Sequence, residues 1–144
     1  MAWDALAGAG IIADSQVLTR FQDDLAPILH ASGIWRFPVF FEDDTLFRLS
    51  PGELRLTEVE ETIFTPGLKI LNFHPTFFAA NVPSTAFYGE IKGRWFEAGS
   101  DLESLVHRGR GTRDVMVELI ALVHSRRFPF HCFETVVDKL LNAA

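Results

Sequence analysis

The sequence predicts a single α/β domain with a largely parallel sheet. Strand-like runs of apolar residues alternate along the chain with helical patterns, and this order is typical of βα units. The 144 residues include 48% apolar residues and 14 phenylalanines, which is enough large apolar surface to fill a core. This composition excludes a disordered chain, a collagen and a disulfide scaffold.

The chain opens on a predicted helix that is followed by a short strand. Residues 2–9 are mostly small and apolar, and Gly8 or Gly10 supplies a stop signal for a short helix. Residues 11–15 begin as an apolar run and end on polar side chains, so they predict a buried strand. Residues 19–33 contain helix and strand breakers and predict irregular structure.

Residues 34–41 form the next predicted strand, because the run is aromatic and β-branched. Pro38 inside it indicates an edge position or a bulge, since proline cannot donate to a strand ladder. Residues 45–67 are polar, with turns predicted at Pro51-Gly52 and Pro66-Gly67. A segment of this length with little structure of its own predicts a functional loop.

The second half of the chain begins with the clearest pattern of a buried strand, residues 68–73, which leads directly into His74. Residues 76–111 are rich in Asn, Gly and Ser and predict irregular structure. Residues 128–133 predict a short strand by their aromatic content, and residues 135–142 predict a final helix by their apolar spacing.

The most regular helical pattern follows Gly111. Thr112 is a candidate cap, and Asp114 lies in the first turn, where negative charge interacts favourably with the helix dipole. Arg126 and Arg127 close the carboxyl end, where positive charge is favourable. The helical repeat gives an apolar stripe formed by Val115, Leu119 and Leu122, widened by Met116, Ile120 and Val123.

The charge and the cysteine content exclude several classes of protein. The formal net charge of −6 argues against nucleic-acid binding, which needs clustered Lys and Arg. The sole cysteine, Cys132, excludes an intramolecular disulfide and a Cys-rich zinc site, and its aromatic neighbours predict a buried thiol. Charges interrupt every apolar run short of the roughly 20 residues of a membrane span, and no signal-peptide pattern opens the chain. We therefore expect a cytoplasmic protein with no nucleic-acid or membrane partner.

Polar residues at the ends of three predicted strands are the candidates for chemistry. Asp14-Ser15, Asp43-Asp44 and His74 each follow an apolar run, and functional groups of α/β folds collect at the carboxyl ends of parallel strands. A carboxylate beside an imidazole can orient the ring and raise its pKa, which makes a general acid usable near neutral pH. The alternative is a structural histidine at position 74 and aspartates that cap loops.

Other kinds of site lack a signature in the sequence. The five histidines include no pair at i, i+3 or i, i+4, so the sequence predicts no metal site in this chain. No Gly-x-Ser-x-Gly nucleophile elbow is present. Residues 109–112 precede a helix and could bind an anion, although simple helix capping is the favoured interpretation. Several aromatic residues of the predicted loops could stack on sugars, although a core role is favoured; they are Phe77, Phe78, Phe87, Tyr88, Trp95 and Phe96.

Three segments resemble, in their order along the chain, the motifs of polysaccharide deacetylase-like (NodB-type) proteins. Residues 71–75, Leu-Asn-Phe-His-Pro, resemble the last motif of that family, where a strand delivers a catalytic-acid histidine. Residues 40–44, Phe-Phe-Glu-Asp-Asp, resemble the preceding acidic motif, and residues 10–15, Gly-Ile-Ile-Ala-Asp-Ser, are similar to the strand before it. Residues 80–88 and 109–113 resemble a subgroup encoded with surface-polysaccharide biosynthesis genes.

The resemblance implies a partial (β/α) barrel of the glycoside hydrolase/deacetylase type that lacks its first strands. The early strands of the family carry an Asp-Asp pair and a His-x-x-x-His pair, and this chain contains neither in that place. On that basis residues 1–144 are a single partial domain, the C-terminal portion of such a barrel. A divalent metal, zinc, is expected only in a full-length parent, and the isolated chain is expected to be inactive.

The activity that the resemblance implies is metal-dependent removal of an N-acetyl group from a sugar in polysaccharide biosynthesis. It implies that His74 is the catalytic acid and that Asp43 or Asp44 tunes it. The residues that it implies for binding an N-acetylated saccharide are Asn72, Asn81, Tyr88 and Arg113. An open half-barrel leaves apolar strand edges exposed, so self-association or a missing N-terminal segment is expected. The alternatives are a non-catalytic carbohydrate-binding or assembly module and a small enzyme whose metal site forms across a dimer.

Overall fold

The computed structural model describes residues 2–49 and 56–142, and its central feature is an extended segment that forms two successive strands. These strands are β3 (Trp35–Arg36) and β4 (Val39–Glu42). The segment is extended as the sequence predicts, but it is divided next to Pro38. Proline has no N–H to donate, and a register shift follows between Val39 and Phe41.

Parallel neighbours flank this central segment on both sides. On one side β1 (Ala13–Asp14) is parallel to β3, and the following residues continue beside β4, where Thr19 N donates to the Val39 carbonyl at 2.8 Å. On the other side β2 (Ile28–Leu29) is antiparallel to β3, and β5 (Ile70–Asn72) is parallel to β4. Within the described residues the strand pairing is therefore largely parallel, and the predicted α/β class is confirmed.

Helices connect the strands and complete the chain. Their bounds are α1 (Ala2–Gly8), α2 (Asp43–Leu49), α3 (Thr57–Ile63), α4 (Pro75–Ala80), α5 (Thr85–Trp95), α6 (Thr112–Ser125) and α7 (Phe133–Asn142), with a 3₁₀ turn at Leu102–Leu105. The predicted first and last helices are confirmed, and α6 matches the most regular helical pattern. In the part of the chain that the structure describes, no helix is long and apolar enough to cross a lipid bilayer.

Two long segments that the sequence predicts as irregular contain helices, so that prediction is wrong. Residues 45–67 include most of α2 and all of α3, and residues 76–111 include most of α4, all of α5 and the 3₁₀ turn. Tertiary packing stabilises these short helices despite weak local propensity, as the burial of Ile91 in α5 illustrates. The predicted turn at Pro51-Gly52 lies outside the described residues, whereas the one at Pro66-Gly67 is confirmed.

The amino end of α6 is closed by side chains. Gly111 precedes the first turn, and its N–H donates to the Asp114 carboxylate at 2.9 Å. Thr112, the predicted cap, instead donates through Oγ1 to the Val82 carbonyl at 2.8 Å and so ties α6 to the segment after α4. The capping interpretation of this segment is confirmed, and the predicted cap residue is wrong.

Burial is concentrated on β4 and on the helix faces that pack around it. Phe40 and Phe41 of β4 are 0% and 1% exposed. Of the apolar stripe predicted for α6, Val115, Leu119 and Val123 are buried and Leu122 is half-buried, but Ile120 is 45% exposed, so its predicted place in the stripe is wrong. The other members of this core are Leu25, Phe47, Val59, Ile63, Phe77, Ala80, Val82, Ile91, Leu105, Val115, Leu119 and Val123.

Two of the predicted strands differ in the structure. Residues 128–133 form no strand, because Pro129 lacks a backbone donor and no described strand pairs with them. Cys132 is exposed rather than buried, since it lies directly before α7 and turns out of the apolar run. Residues 11–15 do contain β1, but Ile11 and Ile12 are 43% and 52% exposed at an edge of the sheet, so their predicted burial is wrong.

Two glycine-to-alanine substitutions are expected to change stability in opposite directions. A Cβ at Gly111 would lie 2.0 Å from the Asn81 carbonyl oxygen, so Gly111→Ala should lower the free energy of unfolding by about 1–3 kcal/mol. Gly93 lies inside α5 with open space around it, and Gly93→Ala should raise that free energy by about 0.5–1 kcal/mol. Urea unfolding of both variants measures the difference, and equal stabilities would contradict the close packing at Gly111.

Candidate active site

The carboxyl ends of β4 and β5 meet at one edge of the sheet. In the parallel pairing Glu42 lies opposite Asn72, so the residues that follow these two strands are brought together. Asp43 begins α2 directly after β4, and His74 precedes α4 with Pro75 at its first position. The predicted proximity of Asp43 and His74 at neighbouring strand ends is therefore observed.

Asp43 holds His74 through both of its carboxylate oxygens. His74 Nδ1 lies 2.6 Å from Asp43 Oδ1, and the backbone N–H of His74 donates to Asp43 Oδ2 at 2.9 Å. The Asp43 side chain is fully buried, whereas 43% of the His74 side chain is exposed. A carboxylate can only accept a hydrogen bond, so Nδ1 of His74 carries a hydrogen. Because Asp43 contacts Nδ1 and the ring is partly exposed, Nε2 is the ring nitrogen that remains accessible.

A second carboxylate, Glu42, faces the other ring nitrogen. Its Oε1 accepts a hydrogen bond from Asn72 Nδ2 at 2.8 Å and lies 3.9 Å from His74 Nε2. Sequence reasoning did not include Glu42 in the site, although it adjoins the predicted aspartates. The β4–β5 register places Glu42 beside His74. In the sequence, the acidic run in residues 40–44 is the sole indication that Glu42 belongs to the site.

The carboxylates around His74 favour its protonated form. Partial burial lowers the pKa of His74, but the hydrogen bond and charge of Asp43, with the charges of Glu42 and Asp44, raise it above 6.5 overall. Burial raises the pKa of Asp43 above its ordinary 3.8, although its hydrogen bonds from His74 act in the opposite direction. The three carboxylates therefore favour the protonated ring of His74 over the neutral one.

Replacing Asp43 with asparagine should lower the pKa of His74. The variant removes a buried negative charge beside Nδ1 and leaves an amide of nearly the same size. A ¹⁵N NMR titration of the imidazole measures this change, and in the wild type it should report the Nδ1–H form when the ring is neutral. Asp14→Asn is the matched control because Asp14 pairs with Arg36 instead. Superimposable titration curves for wild type and Asp43→Asn would contradict the assigned pairing.

The other predicted strand-end residues are arranged differently. Asp44 is half-buried beside Thr45 and acts on His74 only through its charge, so the structure pairs His74 with Asp43. Asp14 forms an ion pair with Arg36 at 3.2 Å, and Ser15 donates to the Phe37 carbonyl. The prediction that this strand end joins the site is wrong, because the chain continues beside β4 beyond it.

Comparison with known proteins identifies the family. The sequence model of the WbmS-like polysaccharide deacetylases matches residues 2–92, which include β1 to β5 and the Asp43–His74 pair. The chain belongs to the WbmS-like polysaccharide deacetylase family. The predicted resemblance to polysaccharide deacetylase-like proteins is therefore confirmed.

A solved structure resembles the fold of this WbmS-like chain. It is that of WbmS from Bordetella bronchiseptica, a candidate polysaccharide deacetylase of O-antigen biosynthesis, with a TM-score of 0.59 and 24% sequence identity. The match covers 76% of this chain and 46% of the Bordetella protein, so the chain spans less than half the length of that relative. No curated protein sequence matches the chain.

Of the residues that the resemblance implies for saccharide binding, Asn72 and Tyr88 lie close to His74. Asn72 is bonded to Glu42, and the Tyr88 ring packs on Phe77, whose centroid is 4.9 Å from that of His74. Asn81 and Arg113 lie at the other end of α4. There Asn81 accepts from the backbone of Arg113, and Arg113 donates to the last carbonyls of α4. Both residues have a structural role in joining α4 to α6.

The loop aromatics of this WbmS-like chain mostly serve the core, as the favoured interpretation predicts. Phe77 is buried, and Phe87, Tyr88 and Trp95 pack against the core from α5. Phe78 and Phe96 are 37% and 67% exposed.

The described residues do not fit a metal ion. Among residues 2–49 and 56–142, no three His, Cys, Asp or Glu side chains are grouped as metal ligands. Beside His74 the donors are already engaged, since Asp43 uses both oxygens on His74 and Glu42 accepts from Asn72.

Proposed function

We propose that His74 donates a proton to the leaving amine when an N-acetyl group is removed from a sugar. The observation that carries this proposal is the Asp43–His74 pair, in which a buried carboxylate holds Nδ1 and leaves Nε2 accessible. Membership of the WbmS-like polysaccharide deacetylase family supports the substrate class, an N-acetylated saccharide of polysaccharide biosynthesis.

The proposed step uses the two ring nitrogens differently. Nδ1 keeps its hydrogen because Asp43 accepts from it. When the carbon–nitrogen bond of the acetamide breaks, the electron pair stays on the sugar nitrogen, and that nitrogen takes the proton from Nε2. The ring is then neutral with its hydrogen on Nδ1, which is the tautomer that Asp43 stabilises. Asp43 is a positioning residue in this step, and His74 is the catalytic residue.

We further propose that residues 1–144 are the C-terminal part of a (β/α) barrel whose first strands, metal ligands and catalytic base lie outside this chain. The share of the Bordetella protein that it spans, 46%, supports this proposal. So does the 62% and 56% exposure of Ile28 and Leu29 on β2, which a missing segment or a second copy would cover. The isolated chain is then inactive, and the reaction depends on a divalent metal held elsewhere.

Reconstitution tests the proposal. The DNA upstream of the Met1 codon is read for Asp-Asp and His-x-x-x-His motifs, in frame or shifted, and that segment is produced with residues 1–144. Acetate release from a tetramer of N-acetylglucosamine is then measured with added zinc. Release by the combined segments but not by either alone supports the proposal. Absence of both motifs, or no release by correctly folded combined segments, would count against it.

The alternative of a non-catalytic carbohydrate-binding module is favoured by the exposed rings of Phe78 and Phe96, which offer stacking surfaces. NMR titration of this chain with the same tetramer separates the alternatives. Shifts confined to these two rings, without acetate release in the reconstituted protein, support binding alone. No shift at millimolar concentration removes the binding module.

A further inference from the structure

His74 is flanked by a carboxylate at each ring nitrogen, and the strand register explains why. Asn72 ends β5, and His74 follows two residues later with an extended backbone, so the alternation of side chains places Asn72 and His74 on the same side of the sheet. Glu42 lies directly opposite Asn72 in the pairing, which places all three side chains on that side. Asp43 meets Nδ1 from the start of α2, and Glu42 meets Nε2 from the end of β4.

The two contacts differ in kind. At 2.6 Å, Asp43 is hydrogen-bonded to the ring. At 3.9 Å, Glu42 Oε1 is beyond hydrogen-bond distance of Nε2 but near enough for an electrostatic attraction. The Asn72 amide occupies the same Oε1 atom at 2.8 Å, so it competes with His74 for that oxygen.

We propose that Asn72 and Glu42 form a positioning pair for His74: Asn72 restrains the Glu42 carboxylate at a distance where its charge favours a proton on Nε2 without a hydrogen bond that would hold it there. The inference rests on the proposed role of His74 as a proton donor. It gives Asn72 a role through Glu42 in place of the expected contact with substrate. A closed ion pair would cover the one nitrogen that can reach a ligand.

The surroundings of His74 leave few other groups that could produce this effect. Glu42 faces it from β4, Asp43 and Asp44 from α2, and the apolar ring of Phe77 from α4. Asn72 on β5 carries no charge. Among the described residues, the carboxylates are thus the charged groups that act on the ring, and Glu42 faces Nε2.

Titration of the His74 ring by ¹⁵N NMR in the full 144-residue chain tests the pair through two variants with opposite effects. Glu42→Gln removes the charge, and the acid dissociation constant of His74 should rise about two- to fivefold, the range of a partly exposed ion pair. Asn72→Ala frees Glu42 to close on Nε2, so the constant should fall. In the double variant the constant should match that of Glu42→Gln alone, because Asn72 acts only through Glu42. Glu97→Gln, which removes an exposed carboxylate after α5, should leave it unchanged.

The outcomes separate this inference from the proposed function. A Glu42→Gln curve that coincides with the wild type, or an Asn72→Ala shift in the same direction as Glu42→Gln, would overturn the positioning pair. Asn72→Leu, which also lacks the donor but fills the space, provides the same measurement if Asn72→Ala fails to fold. The titrations do not measure catalysis, so their failure leaves the proposed role of His74 standing. If His74 is not the proton donor, acetate release by the reconstituted protein will not depend on it, while the opposite shifts of its acid dissociation constant in Glu42→Gln and Asn72→Ala persist.

Discussion

His74→Ala should reduce acetate release by the reconstituted protein about 10²- to 10⁴-fold, the usual contribution of a general acid. The reason is that the variant removes the one accessible nitrogen that Asp43 orients. His124→Ala, on the exposed side of α6, is the matched control and should retain full activity. A loss of less than about threefold in His74→Ala would assign the histidine a structural role.

The pH dependence of the same reaction gives a second readout. Activity should fall as the pH rises through the raised pKa of His74, because the neutral ring has no proton to give. In Asp43→Asn this fall should occur at lower pH, since the carboxylate that raises the pKa is gone. If the high-pH fall in activity occurs at the same pH in Asp43→Asn as in the wild type, the pairing of Asp43 with the proton donor would be contradicted.

Phe40→Ala should lower the free energy of unfolding by about 3–5 kcal/mol, because it empties a fully buried ring position on β4. Typical domains have a free energy of unfolding of only about 5–15 kcal/mol. If this domain lies near the lower end of that range, the variant would be largely unfolded. Phe96→Ala is the same substitution at a ring that is 67% exposed, and it should change stability by less than about 0.5 kcal/mol.

Urea unfolding of the two variants measures the contrast. Phe40→Leu keeps most of the volume and should cost less than about 1.5 kcal/mol, which provides a measurable value if Phe40→Ala does not fold. Equal losses for Phe40→Ala and Phe96→Ala would contradict the placement of Phe40 at the centre of the core.

The sequence predicts those parts of the fold whose signals are local. The helical stripe of α6 and the strand character of residues 34–41 are examples. It does not predict α4 and α5, because their stability comes from contacts with distant residues, and two glycines weaken the helical pattern of α5. The aromatic run at residues 128–133 fails as a strand for a related reason, since strand propensity depends on a partner and Pro129 weakens pairing.

The candidate site follows the same division. Chain order and strand ends are enough to bring His74 near Asp43-Asp44, because β4 and β5 are parallel neighbours. Which aspartate faces the ring depends on the first turn of α2, and the position of Glu42 depends on the register with Asn72. The sequence places Asp14 at the site wrongly, because the chain continues beyond the end of β1 and runs beside β4, and no local signal marks that continuation.

The two hydrogen bonds from His74 to Asp43 lower the entropic cost of binding a ligand at the ring. They fix one backbone atom and one ring atom of the same residue, so the imidazole loses its rotational freedom when β4 and β5 pair during folding. Ordering a side chain of this kind during binding would otherwise weaken affinity by about 0.5–1.5 kcal/mol. The orientation of Nε2 is therefore set when β4 and β5 pair, before any ligand binds, and the ring is preorganised.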